Sequence, residues 1–360
     1  MSIDLAGRVL RSRTVAALTA PHGVDRYLKQ IHPMLAAHEV RARIVDVRTE
    51  LDVPGGPKVV TLTLQPTATW RGHRPGQHVS LGIEIDGVRR TTRVFTISSP
   101  SSRPGERFTI TVRANEGEGS VSRFLAERAA RGQLVHLSQA EGDFVLPDRM
   151  PEHVVLISGG SGITPVMAML RSLQQRTHRG RITFLHYAHT PEHQIYAAEL
   201  EEARRSGHGI DVHLRYPGDG DRYLTPAGLA LLVPGFAEVP TWACGPAPLI
   251  EAVQQAYAGS DRLRVEYFQP PRRTGTAGGE LSFVRTGVVA ANNGEVLLEQ
   301  AEAAGLTPEF GCRMGICFSC TATKRSGTVR NVLTGETSSA PDDEIRICVS
   351  APEGDCEIDL

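Results

Sequence analysis

Apolar and polar positions follow a strand pattern in the first half of the chain. Six short runs rich in Val, Ile and Thr lie between residues 42 and 140, and Gly, Pro or charged turns separate most of them. They read ARIVDVRTE, VVTLTLQP, HVSLGIEIDG, RVFTISS, RFTITVRA and QLVHLSQA. Short strands with this spacing predict an antiparallel β-barrel.

The pattern changes after residue 153. HVVLISGGSGITPVMAMLRSL opens with an apolar run, continues through a glycine turn and ends with helical periodicity. RITFLHYAHT and IDVHLRY predict two more strands, and TWACGPAPLIEAVQQAY predicts a strand and a helix. Strands that alternate with helices imply a parallel sheet, whose ligands bind at the carboxyl ends of the strands.

The glycine turn of this segment is suited to a phosphate group. Gly160 and Gly162 would let the backbone approach a pyrophosphate closely, and Pro165 suits the first turn of the following helix. A lone glycine turn is weak evidence, because any strand-to-helix turn can use glycine.

Four cysteines mark the last segment. Cys312, Cys317 and Cys320 have the spacing C-x4-C-x2-C, and Cys348 follows after 27 further residues. This is the spacing of plant-type [2Fe–2S] ligands, whereas structural zinc more usually shows two short Cys-x2-Cys pairs. Scattered core thiols are the remaining alternative. The number and order of the cysteines favour the iron–sulfur cluster.

The residues before the cysteines predict a turn and a helix. EVLLEQAEAAGL predicts an amphipathic helix that ends at Gly305, a residue suited to terminate it. The NNG at 292–294 predicts a tight hairpin turn between apolar runs.

Composition narrows the class of protein. The chain has 360 residues, too many for one ordinary domain, and a net charge of −1, which argues against nucleic acid as a partner. No apolar leader or run of transmembrane length is visible, and clustered cysteines fit a reducing compartment. We therefore expect a cytoplasmic protein.

Three histidines lie close together in HYAHTPEH, at His186, His189 and His193. A metal site is one interpretation, but we expect solvated loop histidines.

Two segments carry resemblances to known families. Residues 281–360 resemble a plant-type ferredoxin domain, a small β-grasp fold. GGSGITP, followed later by CGPAPLI, resembles the pyridine-nucleotide domain of the ferredoxin–NADP reductase superfamily. For Cys244, a small buried core residue is the alternative interpretation. The resemblance implies nicotinamide or ribose contacts at Thr164, His189, Cys244, Gly245 and Pro246.

In that superfamily a flavin-binding barrel precedes the nucleotide domain, and RVFTISS resembles its Arg-x-Tyr-Ser/Thr motif. The resemblance implies that Arg93 pairs with the FAD pyrophosphate and that Thr96 bonds near flavin N5. Phe95 replaces the usual Tyr, and Ser98 is assigned to the same site. EGEGSVSRFLAE resembles the family's Gly-x-x-Ser turn.

Two further barrel segments resemble the family. HRPGQHVSL resembles its Pro-Gly-Gln strand start, and EGDFVLP resembles its closing strand. The Gly-x-x-Ser turn would bind the second phosphate region of FAD through Gly119 and Ser122.

We expect a multidomain chain made of an antiparallel flavin-binding β-barrel, an α/β nucleotide domain with a parallel sheet, and an α+β ferredoxin domain of the β-grasp fold. The predicted boundaries are a helical extension at 1–39, the FAD-binding barrel at 40–149, the NAD(P)-binding domain at 150–268, a linker at 269–280 and the [2Fe–2S] domain at 281–360.

This domain order implies electron transfer. NAD(P)H gives up two electrons as hydride, a [2Fe–2S] cluster accepts one at a time, and a flavin can do both. The resemblance implies a reductase in which Thr96 and Cys244 line the hydride path. NADPH is preferred on overall resemblance, and NADH stays open.

The sequence specifies the electron acceptor less closely than it specifies the cofactors. The domain order resembles reductases of phenylacetyl-CoA epoxidation, ketosteroid hydroxylation and acyl-CoA desaturation. Residues 17–47 resemble the leader of actinobacterial-type oxidoreductases that serve membrane fatty-acid desaturases. A helical extension that only packs on the barrel is the alternative interpretation of this segment. We expect a stearoyl-CoA desaturase as partner, reached from the cytoplasmic membrane face. The alternatives are a hydroxylase or Rieske-type oxygenase as acceptor, and a non-catalytic redox sensor.

Overall fold

The computed structural model describes residues 9–10, 12–20, 22–85, 89–114, 121–207, 209–267, 275–310, 313, 315 and 318–360. Gly119, Cys312, Cys317 and part of the predicted linker lie outside these residues. The chain forms two compact units. The first takes in the described parts of 1–223, 232–243 and 260–264, and the second those of 224–231, 244–259 and 265–360.

Two short helices precede the barrel, α1 (Arg13–Thr19) and α2 (Val24–Ile31). The buried carboxylate of Asp25 accepts hydrogen bonds from the backbone N–H groups of Ala37 at 2.5 Å, His38 at 2.9 Å and Glu39 at 3.3 Å. A buried carboxylate needs such donors. Asp25 therefore ties the leader to the segment just before the first strand.

Six strands form the first sheet: β1 (Val40–Leu51), β2 (Val59–Pro66), β3 (His78–Ile85), β4 (Arg89–Thr96), β5 (Phe108–Arg113) and β6 (Leu134–Leu137). Their order is β4-β3-β6-β1-β2-β5, and the paired strands are antiparallel. A bridge between Ile97 and Ile110 links the two edges, so the sheet closes. A helix, α3 (Val121–Arg128), follows β5. Apolar side chains fill the interior, where Trp70 stacks on Phe108 with ring centroids 4.7 Å apart.

The nucleotide-domain sheet contains β7 (His153–Gly159), β8 (Arg181–Tyr187), β9 (Ile210–Arg215), β10 (Thr241–Gly245) and β11 (Leu263–Tyr267), in the order β11-β10-β7-β8-β9. The β7–β8 and β8–β9 pairs are parallel. Its helices are α4 (Ile163–Gln175), α5 (Ala197–Ser206), α6 (Pro226–Leu232) and α7 (Ala247–Ala256). Strands buried on both faces explain the nearly continuous apolar runs seen in the sequence.

The ferredoxin sheet contains β12 (Glu280–Phe283), β13 (Val288–Ala291), β14 (Thr321–Asn331), β15 (Thr337–Ser338), β16 (Asp343–Arg346) and β17 (Ser350–Ile358), with α8 (Leu297–Ala303) after β13. The order is β13-β12-β17-β14-β15, and β16 pairs with β14. β17 lies between β12, to which it is parallel, and β14, to which it is antiparallel. Gly305, just after α8, has a φ of +84°.

The predicted hairpin turn at 292–294 is wrong. The hairpin joins β12 to β13 through residues 284–287, and the NNG segment leads from β13 towards α8. The buried side chain of Asn292 donates to the carbonyls of Thr276 at 3.0 Å and Gly278 at 2.9 Å, and accepts from Gly294 N–H at 2.9 Å. Asn292 is therefore held by tertiary contacts.

The predicted fold class, a closed antiparallel sheet, a parallel α/β sheet and a β-grasp domain, is confirmed. Within the described residues, every helix is too short or too polar to cross a bilayer.

Candidate cofactor sites

The glycine turn after β7 forms an uncapped helix start. Residues 160–162 make one 3-10 turn, and α4 begins directly after it without a side-chain cap. Gly160 has a φ of +54° with open space where a Cβ would point. The first N–H groups of a helix carry partial positive charge and lack intrahelical partners. This arrangement fits the phosphates of a dinucleotide.

Buried side chains fix the sheet edge around this turn. The hydroxyl of Ser158, at the end of β7, is 2.8 Å from Nδ1 of His186 on β8. Burial lowers the pKa of His186 to about 3, so the ring is neutral. The expectation that His186 is a solvated loop residue is therefore wrong, whereas His189 is exposed. Thr164 and Pro165, in the first turn of α4, are also buried.

His189 lies where the loops after β8 and β9 meet. Its carbonyl accepts from Gly218 N–H at 2.9 Å, and the Arg215 carbonyl accepts from Ala188 N–H at 3.0 Å. Both loops follow the carboxyl ends of parallel strands, where ligands of such sheets bind. The adenosine contact of His189 stays a prediction.

Cys244, one residue before the end of β10, is a wholly buried thiol in the second compact unit. Burial, and then the Glu266 carboxylate on β11, raise the pKa of Cys244 well above its usual value, so the thiol keeps its proton. Gly245 is buried and Pro246 is exposed. Glu266 was not predicted from the sequence, where it appears only as an acidic residue between Val265 and Tyr267.

The predicted flavin residues lie along and beyond β4. Arg93 and Phe95 are half-buried, opposite Leu81 and Val79 of β3, and Phe95 packs against the barrel core. Thr96 is 8% exposed. A half-buried guanidinium and a nearly buried hydroxyl fit a diphosphate and a flavin ring, respectively. Their flavin contacts stay predictions.

Ser98 and Ser122 are both buried. The hydroxyl of Ser98 lies 2.9 Å from Thr109 Oγ1 and accepts from Thr111 Oγ1 at 3.1 Å. Ser122 lies in the first turn of α3. The flavin roles assigned to both residues stay predictions.

Gly76, in the Pro-Gly-Gln segment, marks a close approach of three segments. Its φ is +100°, and a Cβ there would lie 1.9 Å from the Phe144 carbonyl oxygen and 2.8 Å from Met169 Cε. Phe144 belongs to the predicted closing strand of the barrel, and Met169 lies on α4. Only glycine fits this position without a shift of the backbone.

Two of the four predicted cluster ligands are described. Cys320, just before β14, and Cys348, between β16 and β17, are 3% and 2% exposed. A backbone hydrogen bond from Ile347 N–H to the Cys320 carbonyl, 3.2 Å long, joins their segments. Gly315 in the cysteine loop has a φ of +74°, a conformation open to glycine at little cost. Buried thiols beside a glycine-bearing loop fit the donor set of a [2Fe–2S] cluster.

These features define the class: a reductase that joins a nicotinamide nucleotide, a flavin barrel and an iron–sulfur domain. The model of an oxidoreductase NAD-binding domain matches residues 156–255, and that of a 2Fe-2S iron-sulfur cluster binding domain matches residues 284–353. The chain belongs to the ferredoxin–NADP reductase superfamily, in the branch with a C-terminal [2Fe–2S] domain.

Three similar proteins illustrate this branch. The chain is 35% identical to an NADPH oxidoreductase of Mycobacterium tuberculosis, over 97% of this chain and 91% of that protein. It is 31% identical to a glycine betaine monooxygenase reductase subunit of Pseudomonas aeruginosa, over 79% and 87%. Phthalate dioxygenase reductase has a similar fold, with a TM-score of 0.62, 20% identity, and coverage of 89% and 98%.

The family assignment confirms the predicted enzyme class and cofactors. The protein is an NAD(P)H-dependent electron-transfer reductase that uses FAD and a [2Fe–2S] cluster. FAD supplies the step between two-electron and one-electron chemistry. The cluster residues assigned from the sequence stay predictions.

Proposed function

We propose that this reductase delivers electrons from NADPH, through FAD and the [2Fe–2S] cluster, to an oxygen-activating partner, and that the partner is a membrane acyl-CoA desaturase. The observation that carries the proposal is the presence in one chain of an uncapped, glycine-led helix start, a closed barrel with the predicted flavin motif, and two buried cysteines at the predicted cluster loop. These three features match, in order, the three predicted electron carriers: NADPH, FAD and the [2Fe–2S] cluster.

The leader supports the desaturase. The alignment with the Mycobacterium tuberculosis oxidoreductase leaves 3% of 360 residues, or about 11, uncovered, so it includes most of residues 1–39. The alignments with a stachydrine N-demethylase reductase subunit and a glycine betaine monooxygenase reductase subunit cover 83% and 79% of the chain. The leader resembles that of desaturase reductases, and Asp25 anchors it next to β1.

A soluble oxygenase is the second candidate partner. Its support is that several relatives of similar length are named as reductase subunits, those of glycine betaine monooxygenase and of a stachydrine N-demethylase among them. Small, transient contacts suit either partner, because electron-transfer interfaces bury little area.

The test is acyl-CoA desaturation in membranes that contain the candidate desaturase, with and without this protein and NADPH. Oleoyl product that requires both additions supports the proposal. A matched variant, Asp25→Asn, weakens the leader anchor and should reduce desaturation while NADPH–ferricyanide turnover is retained. Absence of product, together with active transfer to a Rieske-type oxygenase, would assign the second candidate. Absence of ferricyanide turnover would instead favour a redox sensor.

A substitution of His189 tests the preference of the protein for NADPH over NADH. A guanidinium binds a phosphate dianion better than a neutral imidazole does, because it offers a charged donor fork. His189→Arg should therefore raise the ratio of kcat/KM for NADPH over NADH, mainly through KM. His193→Arg adds the same charge at a ring 5.7 Å away and is the control. Equal effects of both variants would mean that general charge, not His189, sets the preference.

A further inference from the structure

Arg171 links the nucleotide domain to the barrel within the first compact unit. On α4, it pairs with Glu199 of α5 through Nε–Oε1 at 2.7 Å and Nη2–Oε2 at 2.6 Å. Its third nitrogen, Nη1, donates to the carbonyl of Ser98, just beyond β4. The Arg171 side chain is 14% exposed, so these bonds are shielded from most solvent. Burial is the largest influence and disfavours its charge, but Glu199 and Tyr196 together outweigh burial and raise the pKa of Arg171.

Tyr196 is linked to Ser98 as well, through the hydroxyl of Thr111. Its ring lies under the Arg171 guanidinium, 4.6 Å from the ring centroid, and its hydroxyl donates to Thr111 Oγ1 at 2.5 Å. The Thr111 hydroxyl donates in turn to Ser98 Oγ at 3.1 Å. Tyr196 is 4% exposed and has a φ of +59°. A bulky residue keeps this strained conformation only where its surroundings require it.

Ser98 is thus held at its carbonyl by Arg171 and at its hydroxyl through Tyr196 and Thr111. It lies two residues after Thr96, the residue predicted to face flavin N5. The helix that carries Arg171 starts at the glycine turn predicted to hold the dinucleotide phosphates. Ile163 and Arg171 are eight residues apart, so about 12 Å of rigid helix joins the two sites at 1.5 Å per residue.

We propose that Arg171 and Tyr196 are positioning residues for hydride transfer, which set the distance between the nicotinamide and the flavin by fixing α4 against Ser98. The step moves a hydride from C4 of NADPH to flavin N5, so NADPH becomes NADP⁺ and FAD gains two electrons. Reacting atoms must approach to about 3–3.5 Å, and an error of about 1 Å can slow a reaction about 100-fold. The inference rests on the NADPH-to-flavin half of the proposed function and does not involve the partner.

The test uses the complete holoprotein. Arg171→Met keeps most of the side-chain volume but removes every charged bond, and Tyr196→Phe removes only one hydroxyl. Anaerobic stopped-flow absorbance follows flavin reduction by NADPH and by NADPH deuterated at the transferred position. We expect reduction to slow about tenfold in each variant, with a larger isotope effect, while FAD content and the Kd for NADP⁺ stay within about twofold of the wild type. Because both residues act on Ser98, the double variant should be slowed by less than the product of the two factors.

Two control variants carry the same substitutions, Arg to Met and Tyr to Phe, at exposed positions. Arg204→Met breaks an ion pair with Glu201 on α5, at a side chain that is 63% exposed. Tyr27→Phe removes a hydroxyl from a tyrosine that is 42% exposed. Both should reduce their flavin at the wild-type rate.

The outcomes separate this inference from the proposed function. A wild-type flavin that NADPH does not reduce refutes the function itself. A normal wild type with equally fast Arg171 and Tyr196 variants overturns only the inference. If Arg171→Met fails to fold, Tyr196→Phe decides alone. If the variants reduce flavin more slowly only in proportion to the FAD that they have lost, and their isotope effect is unchanged, the two residues have a structural role. That result would also overturn the inference.

Discussion

Gly76→Ala is the sharpest test of how the barrel is closed. The new methyl group would lie 1.9 Å from the carbonyl oxygen of Phe144, closer than any van der Waals contact, so the backbone of one segment must move. Because Gly76 lies in the turn just before β3, the strand that pairs with the predicted flavin strand β4, this shift should loosen FAD as well as lower stability. The backbone conformation adds a separate penalty, since φ is +100°.

A second glycine separates these two effects. Gly132 has a φ of +93°, but nothing lies within 4 Å of the Cβ position. Alanine in a left-handed conformation costs roughly 1–2 kcal/mol, which applies to both sites. Overpacking adds about 1–3 kcal/mol at Gly76 alone. Gly76→Ala should therefore lower the free energy of unfolding by about 1–3 kcal/mol more than Gly132→Ala.

The assay is thermal release of FAD, followed by flavin fluorescence. For a unit of this size, each kcal/mol shifts Tm by about 2–4 °C, so the two variants should differ by roughly 2–12 °C. Equal Tm values for Gly76→Ala and Gly132→Ala would refute the reasoning, because the close contact would then carry no energy.

Three further predictions concern the cofactors and pH. Cys320→Ser or Cys348→Ser should abolish the visible [2Fe–2S] absorption while FAD stays bound. Cys356→Ser should keep the absorption, because Cys356 is a buried thiol bonded to a backbone carbonyl at 3.3 Å; the opposite result would reassign the ligands. Arg93→Ala should weaken FAD binding by about 1.5–3 kcal/mol, as expected for a charged hydrogen bond, and FMN in place of FAD in denatured protein would contradict the assignment. Stability should fall as pH rises above about 9, because folded Cys244 keeps a proton that the unfolded chain has lost, and Cys244→Ala should reduce that slope in Tm measurements.

The sequence pattern anticipated the elements but not the contacts between them. Strands such as β5 alternate buried and less buried positions, and this alternation is local and visible in the chain. The turn at Asn292 was mistaken because its side chain bonds carbonyls 14 and 16 residues away. His186 was placed in solvent although it lies within the predicted strand RITFLHYAHT, because the sequence does not show which side chains of β8 other elements cover. Arg171 and Tyr196 matter only once α4 and α5 pack against the barrel, and no spacing in the sequence encodes that packing.

The position of β17 has a consequence for biosynthesis. It is a central strand of the ferredoxin sheet and is synthesised after the other described strands of that sheet. The predicted ligand Cys348 lies two residues before β17, so its loop is fixed only when this late strand enters between β12 and β14. The barrel is made earlier and closes its sheet from its own strands. Flavin insertion can therefore begin during translation, whereas iron–sulfur loading must wait until the ferredoxin segment has been synthesised in full.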